Sequence, residues 1–259
     1  MNDLRAALNA AALRHRRELP AHVQGEISAG TKALHVEGDA RRQLLSDQEV
    51  RRVVEAAFKI DDTGDFGRLV MLSAATGARF SQLRRLRVAD LQPSHGRLMI
   101  TGSRKGRSPR AKPPVAVPLA PDHIEALEPA LVGRGADEPL LLRWAYRRAK
   151  VPKRWERDRR RPWGPAYEID DFWTATVAEA GVPEDTVMYA LRHSSIVRGL
   201  RNGHPIRLAA ALHDTSVQMI EGHYSAYIVD ATEDLARRAT LSFFPQRTGC
   251  NSADSADAS

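Results

Sequence analysis

The chain has 259 residues, 42% of them apolar and 6% aromatic, which suits a mainly helical protein of one large domain or one domain plus an appendage, with a substantial core. No apolar run reaches spanning length, and the charges scattered through the first 17 residues argue against a signal peptide and for a cytoplasmic protein with no membrane partner. Its single cysteine, Cys250, excludes a disulfide framework or a cysteine-based metal site, while 39 basic against 32 acidic residues, a net +7, favour a polyanionic partner.

In chain order, residues 3 to 17 read as an amphipathic helix with Leu4, Leu8 and Leu13 on one side. Leu19 to Gln43 shows no sustained period and reads as a linker. Ser46 and Glu49 have capping-box spacing ahead of Val50, Val53, Val54 and Ala57, so a helix is expected from Asp47. Asp61 to Gly64 is a turn by composition, Phe66 to Ala75 an apolar helix buried on most sides, and Gly77 breaks the pattern before Arg79 starts a new helical face. Arg97–Thr101 and Val115–Leu119 are strand-like and flank a basic loop, and Pro118 marks the second strand as an edge. Asp122 to Leu131 and Tyr167 to Ala180 are helical.

Between those two helices, Arg143 to Arg161 holds ten Lys or Arg against Glu156 and Asp158, a local net of +8 that leaves the rest of the chain near −1. Trp144, Trp155 and Trp163 are interleaved with these charges, as in segments that track a phosphate backbone; the alternative is a solvated basic loop with structural tryptophans. From Met188 to Ile228, Leu191, Ile196, Val197 and Leu200 recur at helical spacing, with Arg192 on the flank of the stripe and tucked inward. A buried guanidinium needs an anion.

ATGARFSQLRRLRVADL, the basic hairpin, ALRHSSIV and LAAALHDTSVQMIEGHYS, in this order and spacing, resemble the motifs of the tyrosine recombinases, the phage integrases, over residues 45 to 240. The resemblance implies a mainly α fold with a small antiparallel β-hairpin or sheet, with residues 1–44 as the remnant of an N-terminal core-binding helical domain plus linker, 45–244 as the catalytic domain and 245–259 as a disordered tail. It also implies site-specific recombination at attachment sites in double-stranded DNA by metal-independent strand cleavage, integrating or excising a mobile element. No metal or cofactor is expected. A homotetramer on DNA and accessory proteins are implied as partners, with the terminal amphipathic helix carrying Leu235, Leu241 and Phe243 docking on a neighbour or on its own domain.

Carried over position by position, Tyr224 is the nucleophile, with Tyr227 its rival three residues on. Arg79 and Arg192 clamp the phosphate, because a planar guanidinium offers paired donors and keeps its proton. Lys105 protonates the 5′ leaving oxygen, with Arg104 and Lys112 as neighbours able to take its place. The DNA-binding set is Arg104, Arg107, Arg110, Lys112, Lys150, Lys153, Arg154, Arg159 and Arg160.

Two positions depart from the pattern. Tyr189 stands where the family has a His three residues before the second Arg, so a hydroxyl does any hydrogen bonding there. The Leu-Gly-His box becomes Leu212-His213-Asp214, and either His213 serves the phosphate or Asp214 fills the histidine place with His213 replacing the glycine; spacing back from Tyr224 favours the second and chemistry the first, and His213 is preferred. Gln82 replaces an acidic supporting residue, His193 is read as structural, and His223 as able to orient the Tyr224 segment. A DNA-binding relative that has lost cleavage and a type IB topoisomerase are the competing functions.

Overall fold

The computed structural model describes residues 2–31, 43–102, 113–149 and 155–240. The chain divides into two compact units, Met1–Arg42 and Gln43–Ser259. The first holds α1 (Asn2–Arg14) and α2 (Val23–Gly30), joined side to side by a hydrogen bond from the Arg5 guanidinium to Ser28 Oγ at 3.2 Å. The presence of α2 corrects the reading of Leu19 to Gln43 as plain linker. This helix buries no residue and has no side-chain cap, so the sequence carries neither an apolar period nor a start signal for it.

The second unit is organised around α4 (Asp65–Thr76), in which Phe66, Leu69, Val70 and Leu72 are fully buried. α3 (Asp47–Ile60) begins with the expected capping box, Ser46 Oγ accepting from Glu49 N and the Glu49 carboxylate accepting from Ser46 N at 2.7 Å. It packs on α4 and on α7 (Asp170–Ala180), and α8 (Ala190–Arg201) covers another side of α4. α4 stops at Gly77 in the left-handed conformation, φ +61°, and the four-residue α5 (Phe80–Leu83) follows with Arg79 as its N-cap. α6 (Pro121–Leu127), α9 (Ile206–Leu212) and α10 (Val217–Ala239) complete the α-helices among the described residues, and α8, α9 and α10 share a second apolar cluster around Ile196, Leu200 and Ile220. No helix among the described residues is long and apolar enough to cross a membrane.

A three-stranded antiparallel sheet runs in the order β1 (Leu91–Gln92), β2 (Arg97–Ile100), β3 (Val115–Pro118), which leaves the Pro118 strand at an edge as its missing N–H requires. The basic segment forms a further two-stranded hairpin, β4 (Leu142–Arg148) with β5 (Trp155–Pro162), where the sequence also allowed a solvated loop. Its register shifts between Trp144↔Arg160 and Tyr146↔Arg157, so β5 carries one extra residue there. That bulge sets Arg157 and Arg160, three apart, on the same face, with their guanidiniums 5.7 and 5.4 Å from the centroid of the Trp144 ring. The hairpin is fastened to the body by Arg160 on Asp65 at 2.5 Å, by Arg157 on Asp62, and by Arg143 and Arg161 on Glu168 at 3.0 and 2.8 Å. Trp163 is core, packed with Phe66 and Phe172 at centroid distances of 5.9 and 6.0 Å.

Candidate active site

Gly77 makes the site possible. A Cβ there would stand 2.5 Å from His213 Cδ2, so the αL turn after α4 can lie directly against the loop between α9 and α10 only without a side chain. Across that contact two guanidiniums reach consecutive carbonyls of one loop. Arg192, from the first turn of α8, donates to Gly77 O at 2.7 Å and to His213 O at 2.5 Å; Arg79, from the start of α5, donates to Asp214 O at 3.1 Å. The two arginines are 113 positions apart in the chain, and the fold brings them together.

Arg192 is 3% exposed. Burial first, and then repulsion from the Arg79 guanidinium, lowers its pKa, while Tyr189 and Tyr224 act the other way. Two cations held this close, one of them desolvated, favour any anion that can lie between them. One carboxylate already contributes: Asp214 Oδ2 lies 3.4 Å from Arg79 Nη1. It leaves the pair of arginines with a net positive charge.

Gln82, 2% exposed, ties the parts together. Its Oε1 accepts from Arg79 N at 3.0 Å, and its Nε2 donates to Thr101 O at 3.0 Å and lies 3.4 Å from Asp214 Oδ2. Thr101 follows β2, so this side chain fixes the root of the basic hairpin beside the arginines. Lys105, together with Arg104, Arg107, Arg110 and Lys112, lies outside the described residues, as do Lys150, Lys153 and Arg154.

The box Leu212-His213-Asp214 takes a form that neither sequence alignment anticipates. The left-handed residue is Asp214, φ 45°, so it is Asp214 and not His213 that adopts the glycine-like conformation. His213 is 5% exposed and its nitrogens turn inward, Nδ1 to Ala209 O at 2.9 Å and Nε2 to Ser195 Oγ at 3.1 Å. Burial, aided by Arg192, pushes its pKa down to about 4 against the pull of the Ala209 carbonyl. A neutral ring so held acts through the loop carbonyl it supports. The expected phosphate-facing imidazole is not what this arrangement presents.

Tyr224 lies in α10 at a break in helical geometry, φ −130° and ψ 15°. Its hydroxyl is 2.5 Å from His193 Nδ1, a contact that sequence reasoning missed when it took His193 as structural. The signal was thin, since a His directly after an arginine has no local partner, and only the packing of α10 on α8 supplies one. Tyr189, 47% exposed, stands with its ring edge-on to His193 at 5.0 Å and lies 5.9 Å from the Arg192 guanidinium. Tyr227 packs instead under the Arg201 guanidinium at 5.5 Å and against the second apolar cluster. Arg160, expected on a phosphate backbone, is spent on Asp65; Arg159 is exposed.

No protein-family model matches the sequence, and no curated protein matches it. Solved structures do. The Tn1549 transposon integrase in complex with circular intermediate DNA aligns with a TM-score of 0.58 at 13% identity, over 92% of this chain and 79% of that one. A lambda integrase dimer bound to a COC′ core site aligns at 0.54 and 18% identity, over 94% of this chain and 61% of that one. XerA recombinase aligns at 0.51 and 21% identity, over 77% of this chain and 66% of that one. The fold is that of a tyrosine recombinase catalytic domain. The chain spans just under two thirds of XerA recombinase, so the likeness to this tyrosine recombinase concerns architecture. Within the tyrosine recombinase fold, the arginine pair and the phenol described above sit on α5, α8 and α10.

Proposed function

We propose that this protein is a site-specific recombinase that cuts and rejoins double-stranded DNA through a 3′-phosphotyrosyl intermediate. The observation that carries the reading is the meeting of Arg79 and Arg192 over the 213–214 loop, with the Tyr224 phenol held on His193, the residue that follows Arg192. Tyr224 attacks the scissile phosphorus, Arg79 and Arg192 hold the non-bridging oxygens as charge builds on them, and Lys105 protonates the departing 5′ oxygen. Energy kept in the phosphotyrosyl bond lets a 5′-hydroxyl from a second strand reverse the step without ATP. Loss of either arginine is expected to slow cleavage by on the order of 10² to 10³.

The basic hairpin loop, with Arg104, Arg107, Arg110 and Lys112, and the exposed face of β4–β5, with Arg159 and the adjoining Lys150, Lys153 and Arg154, track the DNA backbone. Strand exchange between two sites places four copies on DNA, with accessory proteins and the identity of the mobile element set by the attachment site. His213, held inside by both nitrogens, and Tyr189 in a histidine's place favour one second reading, a DNA-binding relative without cleavage.

Trapping on nicked duplexes separates the two. The wild type should form a covalent protein–DNA adduct that disappears in Tyr224→Phe and persists in Tyr227→Phe. An adduct surviving Tyr224→Phe removes the nucleophile assignment, and DNA binding without any adduct selects the second reading.

A further inference from the structure

We propose that His193 is the general base of the cleavage step, taking the phenolic proton of Tyr224 on Nδ1. The inference rests on the recombinase reading above and adds a residue to it. The contact of 2.5 Å between Tyr224 Oη and His193 Nδ1 is within direct proton-transfer reach. In the Nε2–H tautomer Nδ1 carries the lone pair and the phenol donates to it.

The other candidates in the site are poorer bases. Tyr189, in the place where a His stands in the family motif, offers a phenol, which has no basicity comparable to imidazole near neutral pH. His213 has both nitrogens turned into the interior. His193, by contrast, is fixed from two sides: the Tyr189 ring meets it edge-on and the Tyr224 ring is tilted 43° at 5.7 Å. Those two phenols face the imidazole, and the charged Arg192 precedes it in sequence.

The Oη–P bond forms, the P–O5′ bond breaks, the phenolic proton moves to His193 Nδ1, and the 5′ oxygen takes a proton from the acid assigned to Lys105. In rejoining, the imidazolium returns its proton to the departing Tyr224 oxygen.

The test uses the full chain and a pool of nicked duplexes of randomised sequence, enriched with wild type for adduct-forming molecules. Single-turnover adduct rates are measured on that pool from about pH 6 to about pH 10, beside affinity for the uncut pool, for wild type, Tyr224→Phe, His193→Ala and His193→Asn. The Asn amide oxygen accepts the phenol's hydrogen bond and cannot take its proton. His193→Asn should bind the pool like wild type, react about 10²- to 10³-fold more slowly at neutral pH, and gain about tenfold in rate per pH unit as hydroxide takes over, where wild type levels off. A His193→Asn rate within about threefold of wild type, with the same pH profile, overturns the base role even if His193→Ala is slow, since placement alone would then suffice. Nitrogen-15 NMR of the wild-type ring is a check that needs no variant: Nδ1 should be unprotonated and hydrogen-bonded, and an Nδ1–H tautomer overturns the inference. A wild type that gives no Tyr224-dependent adduct fails the recombinase reading itself, whereas an adduct with indifferent His193 variants fails this inference alone.

Discussion

At the scale of single residues, His213 shows what the interior does to a titrating group. Its ring is accepted by the fold only as a neutral species, donating or accepting at Ala209 O and Ser195 Oγ, and its pKa falls from an ordinary 6.5 to about 4. The unfolded chain therefore binds a proton between those two values that the folded chain refuses, and stability falls as pH drops through that window. Above the unfolded value the contribution is complete; below about 4 both states are protonated and the slope ends. The loss attributable to this ring is on the order of 3 kcal/mol. Urea unfolding across acidic pH should show it, and His213→Gln should flatten that part of the profile; a profile unchanged by the substitution would show that the ring is not buried neutral. Of the residues named from sequence, Arg192 was legible because a buried guanidinium needs an anion, and Arg79 through its motif's resemblance to the tyrosine recombinases. The conformation of Asp214 and the partner of His193 were not, because each depends on a segment distant in the chain.

Elements differ in how openly the sequence declares them. α3 announces itself by its cap and its apolar spacing, and α4 by an apolar run that only a buried helix could use. β4–β5 does neither. In β5, Trp-Glu-Arg-Asp-Arg-Arg-Arg-Pro, the six residues from Trp155 to Arg160 are exposed without a break, so no period of two marks a buried face of that strand. What holds it is a set of long-range ion pairs, above all Arg160 with Asp65, a carboxylate 4% exposed that also lies 3.4 Å from Arg68 Nη1. Asp65→Ala leaves Arg68, whose side chain is 11% exposed, without its carboxylate and should cost about 2–3 kcal/mol. It should also speed amide hydrogen exchange along β4–β5. Arg147→Ala, which breaks an exposed pair with Glu156, should change stability by less than about 0.5 kcal/mol. Equal effects from both would show that the hairpin is not stapled through Asp65.

For the molecule as a whole, the net charge of +7 overstates what is available to a polyanion. Arg143, Arg147, Arg157, Arg160 and Arg161 are each paired with a carboxylate, so much of the charge of the most basic segment is used internally. Arg148 and Arg159 are exposed and enter none of these pairs. Duplex affinity measured by fluorescence anisotropy should fall steeply with salt, and Arg148→Ala with Arg159→Ala should lower the slope of log affinity against log salt by about 1 to 2. Arg160→Ala should leave that slope unchanged while destabilising the hairpin. A slope insensitive to the exposed pair would remove β4–β5 from the DNA surface.

The sequence by itself determined the helical class, the cap of α3 and the edge strand, because caps, periods and turn residues act within a few positions of the chain, while the candidate guanidiniums and phenol came from its motifs' resemblance to the tyrosine recombinases. Tertiary structure alone decided that Arg79 and Arg192 share a loop, that His213 turns inward, that Tyr224 rests on His193, and that the basic run folds back as a hairpin. Each of those outcomes depends on contacts between segments that are not neighbours in the chain, where the balance of burial, charge and close approach has no local signature.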